Sequence, residues 1–531
     1  MENNVEKSKK AAAICMAMSD DKSHVGLRVS DEFRMFDMAS PSDLADLESA
    51  AENPDVLKVG SDLKDIMKVL SNHGITLAGP FFDIGIAKAM LDPATTADIK
   101  LAPDDSKKLR DTESLLRTTC HAIKDAKEKL CPLMDKEGVR NLFDVVEMPL
   151  IPVIADMEMT GLQVDRDWLV EAIGRLEAER ERLAANIFRE TGNEFNIDDM
   201  KRLSAILYDK CGYMPTKRTA TGFSVGKEAL SELPFSDLPI YLLLYNETTH
   251  MLSELRGCLA EMDDAGVIRP TFNQVGTTTG RIISREPNVQ GYSVHIKKFV
   301  KSRPGNVLLC FDYSQMQLRI LAHESVDSRL IPLFRDGGDV HSLTAAVIKA
   351  DRGAAKTVNF GVLFGMTPLT LSEELNRPLL ETKAFVKGFF KSYNGARKLR
   401  TTVNKQAKGS DGAVTSPIGR KRYFRDKDSR NKNGGLKKAA QRGALAALMQ
   451  MCEADIVKRA MLRTKEELSA HGYHTRLVCE VHDELLYECP ESEAAEVCAL
   501  IKQVMESAAP LDVPLVTEVG MGSTWAEAKK H

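Results

Sequence analysis

The sequence has no stretch of about 18 or more uncharged apolar residues, the length a membrane-spanning helix needs, so no such span is expected. Its N-terminus, MENNVEKSKKAAAICMAMSDD, sets basic residues ahead of a short apolar run but lacks a signal-peptide cleavage pattern. Met16, Met18 and Asp20 read instead as the opening strand of a folded domain. The ten cysteines include no CxxC pair and no zinc-ligand spacing. They sit inside apolar runs, as Cys310 and Cys479 do, and read as reduced, buried thiols of a cytoplasmic protein. Internal repeats and low-complexity tracts are also missing. The net charge of −4 is too small to announce a partner for polyanions. What remains is a multidomain globular chain, because 531 residues, 43 % of them apolar, exceed what one core accommodates.

Charge is informative through its distribution. From Arg420 to Arg442 the chain reads RKRYFRDKDSRNKNGGLKKAAQR, with ten Lys or Arg and two Asp. A second basic cluster, HIKKFVKSR, contains Lys297, Lys298 and Lys301. Such runs are either solvated faces or phosphate contacts, and the choice depends on what else lies nearby. Residues 1 to about 130 alternate strand and helix patterns. VLKVGS reads as a strand, LKDIMKVLSNHG as a helix ending at Gly74, and FFDIGIAKAMLDP as a helix stopped by Pro93. LIPVIADMEMTG opens a helical region, and Trp168 to Glu190 forms a long, charged amphipathic helix. Strand-rich material then comes in two blocks, 266–328 and 470–531, around a helical insertion. A sheet assembled from both blocks can bring distant carboxylates together.

Three segments carry chemistry. In NVLLCFDYSQ an apolar strand runs into Asp312, which is either a turn former or a hard-cation ligand on a rigid mount. In RLVCEVHDELLYECP two strand-forming runs flank His482-Asp483-Glu484, which is either a soluble turn or the tip that brings a second carboxylate to the same cation. In RGAAKTVNFGVLFG, Arg352, Lys356, Phe360 and Phe364 recur every four residues and share one helix face. That face is either an amphipathic stripe with solvated cations, or a seat for a ligand with polyphosphate at one end and a flat base at the other. Taken together the segments suggest metal-assisted nucleotidyl transfer, with two divalent ions about 4 Å apart clamping the attacking and leaving oxygens.

DYSQMQLRILAHES, RGAAKTVNFGVLFGM and VHDELLYE resemble, in order, motifs A, B and C of the family A DNA polymerases, the DNA polymerase I family. PLIPVIADMEMTGLQVD, KRTATGFS, TGRIISREPNVQ, DVHSLTA, GRKRYF, QMCEADIVKRAM and GSTWAEA extend the resemblance over about residues 149–531. It implies an α+β multidomain fold: a right hand of palm, fingers and thumb behind an N-terminal ribonuclease H-like α/β domain of the exonuclease type. The implied divisions are 1–148 for that domain, 149–265 thumb, 266–328 first palm part, 329–440 fingers and 441–531 second palm part. The implied activity is template-directed DNA synthesis in replication or repair, by a cytoplasmic monomer of a bacterial cell or phage-infected host. Its partners would be primed template DNA and dNTPs. Its cofactor would be Mg²⁺, two ions per site, with Mn²⁺ as a substitute.

By the same resemblance Asp312, Asp483 and the backbone carbonyl of Tyr313 would hold metal, and Lys356 would serve the triphosphate and the leaving pyrophosphate. Arg352 and His341 would hold the outer phosphates. Phe360, Phe364, Gln315 and Gln317 would complete the nucleotide site. Arg281, Asn288, Gln290, Arg442, Gln450, His482 and Glu484 would meet primer and template, where minor-groove contacts test geometry without reading sequence. A single-subunit RNA polymerase is disfavoured by Glu484 and the bulky Gln317. A non-catalytic accessory protein on the same fold is disfavoured by Asp312, Asp483, Arg352 and Lys356.

The chain departs from the family pattern in several places. Gln317 stands where motif A usually carries a Glu that gates against ribose 2′-hydroxyls. Phe364 stands where motif B carries the Tyr that bonds it. Changing both avoids one stranded polar partner, and the gate is expected to persist in shape. Ala446 and Glu480 replace a usual Asn and Gln. In the first block AICMAMSDD offers no Asp-x-Glu in register, and the next catalytic Asp falls on Ile66. A vestigial, non-proofreading domain is therefore expected, with no 5′-nuclease domain ahead of it.

Overall fold

A computed structural model describes residues 13–100, 111–219, 222–409, 412–424 and 434–529. Five strands open the chain: β1 (Ala13–Met18), β2 (His24–Val29), β3 (Glu32–Asp37), β4 (Leu57–Gly60) and β5 (Phe81–Asp83). They lie in the order β3-β2-β1-β4-β5. The first three pair antiparallel and β4 and β5 join in parallel. Helices α1 (Leu63–Asn72) and α2 (Thr112–Glu137) close this sheet into a core containing Met16, Val59, Ile66, Cys120 and Phe143. FFDIG is not the start of a helix. Phe81–Asp83 pairs with β4, and the helix Ile84–Ala89 begins only where Asp83 caps it by accepting the Ile86 N–H at 3.0 Å. Sheet pairing of two aromatic residues overrides the helical periodicity that follows them.

Helix α3 (Met148–Thr160) leads to α4 (Arg166–Thr191), which contains the expected amphipathic helix. Asp165 starts α4 by accepting the Trp168 N–H at 3.1 Å, and Gly192, at φ 68°, ends it. Helix α5 (Asp237–Ala260) packs along α4, and their far ends share a separate small core of Leu183, Ile187, Leu207, Leu238 and Leu242.

The central sheet takes β6 (Asn306–Tyr313) from the first strand-rich block. From the second come β7 (Arg476–Val481), β8 (Glu484–Pro490) and β9 (Thr517–Gly522). Its order is β7-β8-β6-β9, antiparallel throughout. Leu308 to Phe311 of β6 are buried, as befits a central strand. Between β6 and β7 the chain is mainly helical and includes α6 (Arg352–Leu363) and α7 (Gly434–Ala470), which touch each other. Among the described residues no helix is long and apolar enough to cross a membrane.

The described part of the first basic run turns inward. Arg420 is buried, donating from Nε to Asp455 at 2.6 Å and from Nη2 to Glu147 at 2.5 Å. Lys421 pairs with Glu137 at 2.7 Å. Residues 425–433, and the side chains of 434–442, lie outside the described residues. In the second cluster Lys297 is buried over the Trp525 ring, 4.1 Å from its centre, and Lys301 pairs with Asp165 at 2.9 Å. These cations hold protein segments together.

Glu147 ties the segments most widely. Besides Arg420 it accepts from Lys458 Nζ at 2.7 Å and from the Gln274 amide at 2.7 Å. Burial opposes its charge, but Lys458 and Arg420 hold its carboxyl down at about 2. Because folding lowers this acid from its ordinary 4.5, its stabilisation is complete above that pH and is lost as the pH falls toward about 2. Glu147→Ala leaves two buried cations short of a partner and is expected to cost about 3–5 kcal/mol. Denaturant unfolding at neutral pH checks this, and a loss below about 1 kcal/mol contradicts it.

Candidate active site

The pairing of β6 with β8 sets Asp312 opposite Glu484. A two-residue turn, His482-Asp483, joins β7 to β8, with His482 in the left-handed region at φ 61°. The carbonyl of Asp483 accepts the Tyr313 N–H at 3.1 Å, so Asp312 and Asp483 stand side by side at the end of the sheet. Burial first, then the negative charges of Glu453 and Asp312, push the Asp483 carboxyl up to about 7. Tyr313 is buried with its hydroxyl donating to the Met505 carbonyl at 2.7 Å, so it can offer a cation only its main-chain oxygen.

Two crowded carboxylates and a carbonyl make an all-oxygen donor set suited to Mg²⁺, which takes one or two carboxylates and draws its other ligands from phosphates and water. Among the described residues no group of three or more His, Cys, Asp or Glu side chains is placed to hold a metal ion by itself. Glu484 sits beneath Asp312. It is buried, accepting from Trp525 Nε1 at 2.5 Å and from Lys529, with Lys297 at 3.5 Å. Burial opposes its charge, yet Lys297 and Lys529 keep its carboxyl below the usual range. Lys529 Nζ also lies 3.6 Å from Asp312.

The facing wall is α6. Asp351 caps it by accepting the Ala354 N–H at 2.8 Å, and Gly365, at φ 70°, lets the chain turn away after it. Arg352, Lys356, Phe360 and Phe364 all line one cleft of about 420 Å³, together with His341, Gln315, Met316, Gln317, Arg281, His482 and Asp483. The rings of Phe360 and Phe364 are stacked at 15° with centres 6.2 Å apart. Arg352 Nε donates to Asp339 at 2.6 Å, a hydrogen bond that holds the Asp339 carboxyl far below the usual carboxylate range. Lys356 has no ion-pair partner among the described residues. Burial first, and then the nearby Arg352 and Lys356, hold the His341 imidazole below its ordinary range against the opposing pull of Asp339. Its Nδ1 lies 2.9 Å from the Asn359 side-chain nitrogen.

Arg281 and His482 also line the cleft, while Asn288, Gln290, Gln450 and Glu484 are engaged in the fold. Gln290 accepts the Ser284 N–H at 2.8 Å and donates to Ile282 O at 3.1 Å and to the Glu480 side chain at 2.8 Å. Asn288 accepts from the Ser284 hydroxyl at 3.0 Å, and Gln450 from the Thr279 hydroxyl at 3.3 Å. Arg442 lies within α7, but its side chain is outside the described residues. Sequence reasoning passed over Glu453, Lys529 and Trp525. Glu453 was in view, one turn after Gln450 on α7, but its partners are distant in the chain.

Burial pushes the Glu480 carboxyl up to about 8, so at neutral pH it is largely protonated and has the shape of a Gln. The folded chain then keeps a proton that the unfolded chain releases, and stability falls as pH rises from 4.5 to about 8. Glu480→Gln abolishes that slope. The melting temperature of the variant relative to the native chain should rise between about pH 5 and pH 8, and parallel curves would contradict the assignment.

The family description DNA polymerase family A matches residues 166–527. DNA polymerase I of Geobacillus stearothermophilus is 32 % identical over 98 % of this chain and 64 % of its own length. The thermostable DNA polymerase I of Thermus filiformis is 35 % identical over 95 % of this chain and 61 % of its own. The chain thus spans about three-fifths of the length of such relatives. Among solved structures, the POL domain of Pol1 from M. smegmatis, in complex with DNA primer-template and dNTP, superposes with a TM-score of 0.89 at 27 % identity, covering 100 % of this chain and 98 % of that one. Family A polymerases use divalent metal ions, which agrees with the donor set at Asp312 and Asp483. With the family match over residues 166–527 and a polymerase-domain structure superposing along the whole chain, the chain belongs to DNA polymerase family A.

Proposed function

We propose that the chain is a DNA-directed DNA polymerase that extends a primer 3′ end with dNTPs, in replication or repair. The observation that carries this reading is a cleft walled by Arg352, Lys356, Phe360 and Phe364 that reaches Asp483, with Asp312 held beside Asp483 by the bond from the Tyr313 N–H to the Asp483 carbonyl. The ligands in the M. smegmatis complex support the choice of substrates. In this reading the triphosphate lies against Arg352, Lys356 and His341, and the sugar and base lie along Phe360 and Phe364. Gln315 and Gln317 close the sugar side, while Arg281 and His482 face the primer terminus. The primer 3′-hydroxyl gives its proton to solvent as its oxygen attacks the α-phosphorus, the bond from that phosphorus to the bridging oxygen breaks, and pyrophosphate leaves with a proton that Lys356 can supply. When bound, two Mg²⁺ ions, or Mn²⁺ in their place, supply positive charge at both reacting oxygens, with Asp312, Asp483 and the Tyr313 carbonyl as their protein ligands. One chain holds every residue named, so the enzyme acts as a monomer on primed template.

The divisions 1–148, 149–265, 266–328, 329–440 and 441–531 serve in this reading as exonuclease-like domain, thumb, first palm part, fingers and second palm part. Loss of proofreading is supported by β1, which carries no acidic residue, and by Ile66, buried where a catalytic carboxylate is expected.

Asp483→Ala should lower primer extension by about a hundredfold or more while primer-template binding persists. Chelation of divalent ions should abolish native activity, and added Mg²⁺ should restore it. Extension by Asp483→Ala near the native rate would contradict the reading. Pure native protein should leave a mismatched 3′ end intact when no dNTP is present. Its shortening would overturn the proposed loss of proofreading.

A further inference from the structure

Glu453 is a buried carboxylate on α7 that the reaction as derived does not use. Its two oxygens serve two different residues of the cleft. Oε1 accepts from Arg281 Nη2 at 2.5 Å, and Oε2 accepts from Gln317 Nε2 at 2.5 Å. A carboxylate held by Arg is an acceptor only, so the Gln317 amide must turn its NH₂ toward Glu453. Its Oε1 is then left buried with no hydrogen-bond partner among the described residues. Gln317 lines the cleft together with Phe360, Phe364 and Asp483. A nucleotide whose phosphates meet Arg352 and Lys356, and whose base meets Phe364, carries its sugar between these ends, beside Gln317.

An uncharged amide on a flexible stem can rotate, and could then either donate to or accept from a sugar hydroxyl. Charge-assisted bonding to Glu453 removes that freedom. A 2′-hydroxyl pressing on Gln317 must displace an anchored side chain, whereas a deoxy sugar need not.

We propose that Glu453 is a positioning residue that locks Gln317 against the sugar of the incoming nucleotide and so sets discrimination between dNTPs and rNTPs; this rests on the polymerase reading above. Arg281 has a supporting part, since its guanidinium sits on the other oxygen of the same carboxylate and favours the charged acceptor.

The test measures kcat/KM for dNTP and rNTP incorporation opposite one template base. It uses the native chain, Glu453→Ala, Gln317→Glu and the exchange Gln317→Glu/Glu453→Gln, with melting temperatures for all four. In Glu453→Ala the dNTP-to-rNTP ratio should fall about tenfold or more, the worth of one hydrogen bond to a charged group, with rNTP incorporation rising relative to dNTP. Gln317→Glu presses two carboxylates together and should lose most dNTP incorporation. The exchange restores a donor and an acceptor with roles reversed, and should recover both dNTP incorporation and sugar discrimination. If Glu453→Ala does not fold, the comparison of Gln317→Glu with the exchange still decides. A ratio within about twofold of native in folded Glu453→Ala, or an exchange no better than Gln317→Glu alone, overturns the proposal. A native chain that incorporates no dNTP overturns the polymerase reading itself, and that is seen before any variant is compared.

Discussion

The antiparallel pairing of Asn306–Tyr313 with Glu484–Pro490 is the constraint on which the rest of the active end depends. Strand register is discrete, and a slip by one residue would turn Asp312 to the other face of the sheet. The register is secured by buried side chains along both strands and by the two-residue turn that precedes β8. It places two acids close enough for each to disfavour the other's charge, with a third, Glu453, behind them. Such crowding costs free energy in the absence of a cation and makes the site ready to take one.

The surrounding fold meets this concentration of negative charge with a second ring of interactions. Lys297 and Lys529 flank Glu484, Arg281 faces Glu453, and Gln290 meets a Glu480 that burial keeps protonated. Each device handles one acid differently, by ion pair, by shared hydrogen bonds or by neutralisation. The two acids Asp312 and Asp483 thus stand together at the sheet end, while α6 supplies positive groups where a polyphosphate would lie. The buried network of Glu147, Arg420, Asp455 and Lys458 does similar work between the N-terminal and central parts of the chain.

Much of this was legible in the sequence because the relevant periods are short. The four-residue spacing of Arg352, Lys356, Phe360 and Phe364 fixes a helix face, and the structure turns all four into one cleft. Apolar runs ending at Asp312 and flanking Asp483 mark strands whose ends meet. What could not be read depends on partners far apart in the chain. Arg420 and Lys421 look like solvated cations until Glu147 and Glu137 are brought beside them. Glu453 looks like one more acid on a long helix until Arg281 and Gln317, from the first strand-rich block, converge on it. Phe81–Asp83 reads as helix because its strand character comes only from pairing with Leu57–Gly60.

The central claim is that Asp312 and Asp483 act on one shared pair of metal ions. A crystal structure of the chain with primed template, an incoming dNTP and Mg²⁺ tests it most directly. The account predicts both carboxylates bonded to metal that also contacts the nucleotide's phosphates. Metal bound to the nucleotide with either carboxylate outside its coordination shell would contradict it.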